Sequence, residues 1–336
     1  MKERRISLAH GAGGKLSHDL VQELFLPYLG SAPLQALDDS AVIPFETGQL
    51  AFTTDAYVVK PLFFPGGDIG RLAVCGTVND LAMAGAQPLG LSCAFILEEG
   101  LLIADLERVL ASMQADGQEA GVQVVAGDTK VVEHGAVGGL FITTAGIGQI
   151  PAGVAIGSAH TLPGDAIIVS GPLGDHEIAV LLARGEFSLQ GEVKSDCAPL
   201  NKLVATMLAA SGTIHCLRDP TRGGMATVLW EIAHASGVGV VVEEEEIPIR
   251  GEVRAVCDLL GFDPYYLANE GRLIAFVPEG AAKTILQAMQ QHPLGKGAKL
   301  IGRAVADHPG TVLLHTTLGG HRILEPLSSV QFPRIC

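Results

Sequence analysis

Apolar positions along the chain switch repeatedly between a period near 3.6 and a period near two, the signatures of helix and strand. SHDLVQELFLPYL (17–29) has helical spacing, with Ser17 as a candidate N-cap. LAFTTDAYVV (50–59) reads as a strand running into a loop. DIGRLAVCGTVNDLAMAGA (68–86) is a helix rich in small residues, which predicts close packing. PLGLSCAFIL (88–97) is a strand, and IADLERVLASMQADGQEAG (103–121) is an amphipathic helix stopped by Gly121. VQVVAGDTKVV (122–132) is a strand entering a turn, and GLFITTAGIGQI (139–150) is another strand.

The second half repeats this alternation. DAIIVSGPLG (165–174) is a strand leading into a Gly-rich turn, and helical patterns follow at 176–184 and 197–210. DPTRGGMATVLWEIAHASG (219–237) is a turn and a helix. A strand with an acidic end, a helix, the strand RLIAFVP, a further helix and two closing strands complete the block. Mixed elements in two blocks predict an α/β fold of two domains, residues 1–152 and 153–325, divided at a stretch rich in Gly, Ala and Pro. Beyond residue 325 the pattern fades. PLSSVQFPRIC (326–336) reads as a mobile tail that spans at most about 35–40 Å when extended.

Composition narrows the class. Hydrophobic residues make up 48% and charged residues 17% of the 336, ample for buried cores. The net charge of −14 argues against non-specific binding to nucleic acid or anionic membrane. The start lacks a signal-peptide core and no apolar run approaches the roughly 20 residues of a membrane helix. These features read as a soluble cytoplasmic protein. Six cysteines without CxxC spacing predict neither a disulfide framework nor a zinc knuckle. Eleven histidines without HxH or HExxH spacing suggest no histidine metal site.

The carboxylates carry the first chemical signal. Asp38 and Asp39 precede an apolar segment, Asp55 ends a strand, Asn79 and Asp80 sit inside the small-residue helix, and Asp128 ends a strand two residues before Lys130. Acids are costly in apolar segments unless paired or metal-bound, and together these four segments suggest a magnesium–nucleotide site. Each aspartate alone also fits a cap or turn. HGAGGK (10–15), ending in Lys15, is a weak phosphate-loop signal beside the more ordinary reading of a flexible N-terminal turn. RDPTRGG (218–224) sets Asp219 and Arg222 before a helix, where anions bind or a turn is capped. Glu270 in ANEG is either a base with a raised pKa or a structural hydrogen-bond partner. EEEE (243–246) reads as a solvated acidic edge. Cys336 on its own reads as an incidental end.

In order along the chain, LAHGAGG, FTTDAYVV, PLFFPGGDIGRLAVCGTVNDLA, FILEEGL, GDTKVV, DPTRGG, ANEG and the terminal PRIC resemble the HypE family of hydrogenase maturation factors. That family lies within the PurM-like superfamily of aminoimidazole ribonucleotide synthetase relatives. GTVNDLA and GDTK are superfamily themes, whereas PRIC is specific to the family. The resemblance implies a two-domain PurM-like fold, with a homodimer whose N-terminal domains form a shared β-barrel and ATP bound near that interface. It implies that a HypF-type carbamoyltransferase loads Cys336 and that the carbamoyl group is dehydrated to a thiocyanate using ATP. Cyanide then passes to iron on a HypC–HypD assembly for [NiFe] hydrogenase. By the same resemblance Asp39, Asp55, Asp80 and Asp128 bind Mg2+ and ATP with Asn79 nearby. Lys130 stabilises transferred charge, Glu270 accepts the proton, and Lys15, Asp219 and Arg222 are candidate nucleotide contacts. Two other readings remain at this stage. One is another superfamily activity, such as selenophosphate synthesis, although HGAGGK lacks the expected cysteine. The other is a non-catalytic carrier holding cargo on Cys336.

Overall fold

Asp68 starts the helix on which the structure is organised. Its carboxylate accepts the N–H groups of Gly70 (2.8 Å) and Arg71 (3.1 Å), capping helix Ile69–Met83 (α2). A computed structural model describes residues 14–25, 37–45, 48–185 and 192–327. Thirteen of the 15 residues of α2 are buried, so it is a core helix rather than a surface one. Its small residues allow this. A Cβ on Gly76 would collide with the Tyr57 hydroxyl, and one on Gly70 would meet the backbone of Val109 at 2.5 Å.

The first sheet has the order β1-β2-β7-β5-β6. Its strands are β1 (Ala41–Phe45), β2 (Gly48–Tyr57), β5 (Gln87–Glu98), β6 (Val124–Val132) and β7 (Leu140–Ile150). A small hairpin of β3 (Phe63–Phe64) and β4 (Gly67–Asp68) precedes α2. Helix Ile103–Ala120 (α3) crosses between the parallel strands β5 and β6 and packs on α2. One face of the sheet is buried on α2. The other exposes Phe52 and Ile147, register partners that are 45% and 38% accessible. At the edge, eight of the nine β6 residues are exposed.

The second sheet has the order β14-β13-β10-β12-β8-β11-β9. Its strands are β8 (Ala166–Val169), β9 (Cys216–Arg218), β10 (Gly239–Glu243), β11 (Ile274–Val277), β12 (Lys299–Val305), β13 (Val312–His315) and β14 (His321–Leu324). Helix Gly224–Ser236 (α6) packs on one face through Met225, Leu229 and Ile232. Helices Asn201–Ala210 (α5) and Glu279–Gln291 (α8) cover part of the other through Leu203, Met207, Ile285 and Met289. Asp175–Arg184 (α4) and Gly251–Leu260 (α7) share a smaller apolar cluster.

Several elements differ from the pattern-based expectation. Strand β1 was not foreseen in the segment after Asp39. It is short and contains Pro44, which an edge strand tolerates. The expected helix at 17–29 is helix Lys15–Leu20 (α1) followed by a π-turn at Val21–Phe25, and 26–29 lie outside the described residues. The helix expected from 197 begins at Asn201, because residues 197–200 are held by α2. GDTK lies within a continuous strand, since β6 pairs with β5 as far as Val132. The acidic edge is also partly built in: Glu243 pairs with His315 (2.7 Å), and Glu244 accepts from Thr317 N (2.9 Å) and Tyr265 Oη (3.1 Å). Among the described residues five cysteines are free and buried, and no helix is long and apolar enough to cross a membrane.

Candidate functional site

The period of two on β2 sends Ala51, Thr53, Asp55 and Tyr57 to the side facing α2. Thr53 Oγ1 donates to Asp80 Oδ2 at 2.6 Å and lies 3.2 Å from the Asp39 carbonyl. Tyr57 Oη donates to Asp55 Oδ2 at 3.0 Å. Thus Asp39, Asp55 and Asp80 come from three separate segments to one corner of the first domain.

The second domain closes this corner. At the end of β9, Arg218 Nε meets Asp39 Oδ1 at 2.7 Å and its Nη2 meets Glu231 of α6 at 2.8 Å. The next residue, Asp219, is 5% exposed, and Glu270 is 7% exposed on the loop before β11. Burial pushes the Asp39 carboxyl up to about 7, with Arg218 pulling the other way. Asp80 is raised well above its ordinary value by burial, then by Asp55, Asp219 and Asp39. Asp219 is raised by burial and Asp39, and Glu270 by burial, Asp219, Asp196 and Asp55, with exposed Arg222 opposing. So many acids facing one another favour a cation or bound protons. Among the described residues the buried Asp39 Oδ2 atom has no hydrogen-bond partner, so it is available to a cation. Among the described residues no three such side chains cage an ion by themselves. A magnesium ion fits here with further oxygens supplied by phosphate.

Glu270 is held by its backbone. Its carbonyl accepts from Asn79 Nδ2 at 3.2 Å, and its N–H donates to Asp196 Oδ1 at 3.2 Å. Its carboxylate makes no hydrogen bond to a described residue. Asn79 itself is buried, with its amide committed to backbone groups of residues 198, 200 and 270.

The remaining candidates lie elsewhere. Asp128 and Lys130 are on β6, opposite Ala94 and Ile96 of β5, with side chains 67% and 72% exposed and 3.7 Å apart. Within one chain they do not join the aspartate corner. Lys15 is exposed at the start of α1, where its N–H bonds to the Leu327 carbonyl at 3.0 Å. Cys336 and residues 10–13 of HGAGGK lie outside the described residues. Sequence reasoning missed Thr53, Tyr57, Arg218 and Asp196. Alternation on β2 would have placed Thr53 and Tyr57 with Asp55, and Arg218 adjoins Asp219. Nothing local distinguishes Asp196, whose role depends on a contact 74 residues away.

Residues 37–150 match the N-terminal domain, and residues 163–315 the C-terminal domain, of AIR synthase related proteins. The chain has the two-domain, mixed α/β PurM-like fold. It is 50% identical to carbamoyl dehydratase HypE of Rhodobacter capsulatus, over all of this chain and 99% of the relative. It resembles a HypE crystal structure in complex with ATP (48% identity, TM-score 0.83, covering 97% of this chain and 98% of that one). It also resembles a HypE–HypF complex (44% identity, TM-score 0.87, covering 92% and 99%). With both domains matched and half of all positions identical along its full length, the chain belongs to the carbamoyl dehydratase HypE family.

Proposed function

We propose that the protein dehydrates an S-carbamoyl group on Cys336 to a thiocyanate at the expense of ATP, supplying the cyanide ligand of iron in [NiFe] hydrogenase. The observation that carries this is Glu270: a buried carboxylate with a raised pKa, free of described hydrogen bonds, facing the aspartate corner. The relative solved with ATP supports the nucleotide, and the HypE–HypF complex supports a HypF-type carbamoyltransferase as the loading partner. A HypC–HypD assembly carrying iron is the acceptor, and the work takes place in the cytoplasm. The functional units are residues 1–152, 153–325 and the tail 326–336.

An amide oxygen is a poor leaving group. When bound, ATP with Mg2+ supplies phosphoryl transfer that turns this oxygen into part of a phosphate. The chain's residues do the rest. Asp39, Asp55, Asp80 and Asp219 hold the charge at the mouth of the site, and Arg218 orients Asp39. Glu270 accepts an N–H proton as the C–O bond breaks, and loss of both N–H protons leaves the nitrile. Burial makes the ionised carboxylate a stronger base than one in water. Arg222 lies near enough to Glu270 to oppose the rise in its pKa, and Lys15, exposed at the start of α1, is a further candidate contact for the nucleotide.

Asp128 and Lys130 enter through a second copy. The apolar outer face around Phe52 and Ile147, together with the open edge of β6, supports a homodimer in which two first sheets share a barrel. In that arrangement Asp128 and Lys130 would reach the partner's site, Lys130 balancing developing negative charge. The test is mass spectrometry of carbamoyl-loaded full-length chain. Loss of one water from the Cys336 peptide should require ATP. Equal loss without ATP would refute the reading.

A further inference from the structure

Resting on the reading of Glu270 as the base, we infer that Asn79 is a positioning residue that fixes Glu270 of the second domain against the aspartates of the first, and is not a nucleotide contact. Arg71, Cys75 and Asn79 recur every four residues along one face of α2. That face runs beside residues 196–200 of the second domain. Arg71 Nε donates to the Cys197 carbonyl at 2.9 Å while its Nη1 pairs with Asp116 of α3 at 3.0 Å. Cys75 and Cys197 share one buried apolar cluster. Asn79 completes the row. Its Nδ2 donates to the carbonyls of Ala198 and Glu270, both at 3.2 Å, and its Oδ1 accepts from Leu200 N at 2.7 Å.

Both amide protons are therefore used, and none is left for a phosphate. The neighbouring position points elsewhere: Asp80 turns to Thr53 and the aspartate corner. One peptide unit of α2 thus carries the corner on one side and the anchor of Glu270 on the other. The anchor has a second jaw. The two Asp196 carboxylate oxygens accept from Glu270 N and Gly271 N, each at 3.2 Å. A side chain at residue 271 would collide with the Asp196 carbonyl, so only glycine allows these two loops to stack. The backbone of Glu270 is gripped by both domains while its carboxylate stays free. A buried asparagine in a core helix needs partners for its amide wherever they come from. That need alone does not require the partner to be the residue bearing the base.

The test uses the full-length, carbamoyl-loaded chain with Asn79→Ala and Asn79→Asp. The alanine removes the acceptor and both donors, whereas the aspartate keeps the acceptor for Leu200 and turns an oxygen toward the carbonyls of Ala198 and Glu270, so the exchange of the sheet-core amides reports the fold of each variant. Misplacing a base by about 1 Å costs on the order of 100-fold. Both variants should lower the single-turnover dehydration rate by about that factor, with KM for ATP within about twofold of the parent. In a Glu270→Gln background, adding Asn79→Asp should cost nothing further. Hydrogen exchange should quicken at the Leu200 amide in Asn79→Ala and stay unchanged in the cores of the two sheets. A tenfold rise in KM at unchanged rate would make Asn79 a nucleotide contact and overturn the inference. So would equal losses in both backgrounds, or an unchanged Leu200 exchange rate. Full dehydration by Glu270→Gln alone would instead refute the base, and the exchange result would still decide whether Asn79 clamps the loop.

Discussion

Two sets of charged residues in the first domain have opposite surroundings. Asp55 and Asp80 meet in a corner closed by Arg218, Asp219 and Glu270 of the second domain, where burial and like charges raise the Asp80 pKa far above normal. Asp128 and Lys130 stand on the open edge strand, pairing with each other in water. The corner gains its strong electrostatics from low dielectric, whereas a solvated pair such as Asp128–Lys130 is worth little. On the proposed reading, one chain builds half of a site, the half that holds the base. On that reading the exposed Asp128–Lys130 pair gains strength when a second copy covers it.

The largest effect should come from preventing that covering. Phe52→Asp with Ile147→Asp places two charges opposite each other on the outer face. The double variant should be a monomer by light scattering and should lose dehydration altogether. A fully active monomer would show that the corner suffices, and the comparison would collapse. Smaller but more specific is subunit complementation. Asp80→Asn and Lys130→Ala chains should each be inactive as homodimers. Mixed and re-equilibrated in equal amounts, they should recover about a quarter of parental activity, because a symmetric mixed dimer contains one intact site. No recovery would place Asp80 and Lys130 in the same chain's site.

How much of this could be read from the sequence follows the same divide. The strand and helix periods located β2, α2, β5 and β7, and the acids interrupting apolar segments named Asp39, Asp55 and Asp80. These are local signals. That Asp128 would stand apart from them was not legible, because GDTK carries the same local pattern as the others and differs only in the position of β6 at the sheet edge. Arg218 and the clamp by Asn79 depend on contacts between domains, and Asp196 on a contact between distant parts of the second domain, none of which a window of neighbouring residues records. Family resemblance supplied the role of Cys336, on which the described residues are silent.

The buried seam should also be the acid-sensitive region. His176 is fully buried there, packed edge-on to Phe64 and 2.9 Å from Ser195 Oγ, with its pKa pushed down to about 4 by burial. The unfolded chain binds a proton at this residue from about pH 6.5 downward, and the folded chain resists until about 4. Stability is thus lost as pH falls from 6.5 toward 4, by about 2 kcal/mol at pH 5. Urea unfolding of the parent and His176→Gln at pH 7.5 and 5 should show a smaller loss in the variant. Equal losses would assign the acid sensitivity of the seam to other groups.

The edge should behave differently, and Glu98 at the end of β5 makes the contrast measurable. Its carboxylate accepts the N–H groups of Gly135 (3.0 Å), Val137 (3.1 Å), Gly138 and Gly139 (3.1 Å), gathering the loop that leaves β6. These bonds hold its pKa down to about 2. A depressed carboxylate contributes its stabilisation above its unfolded value of about 4.5 and loses it as pH falls toward 2. Between pH 6.5 and 4.5, where the seam weakens, this loop should stay protected. Glu98→Gln keeps one oxygen acceptor and loses the charge that four N–H dipoles favour. Exchange at those four amides should quicken at pH 7, and dehydration should fall less than in the Asn79 variants, since β6 remains paired with β5 along its whole length. Unchanged exchange would mean that strand pairing alone sets the position of Asp128 and Lys130. The edge would then be as rigid as the seam without any charge to hold it.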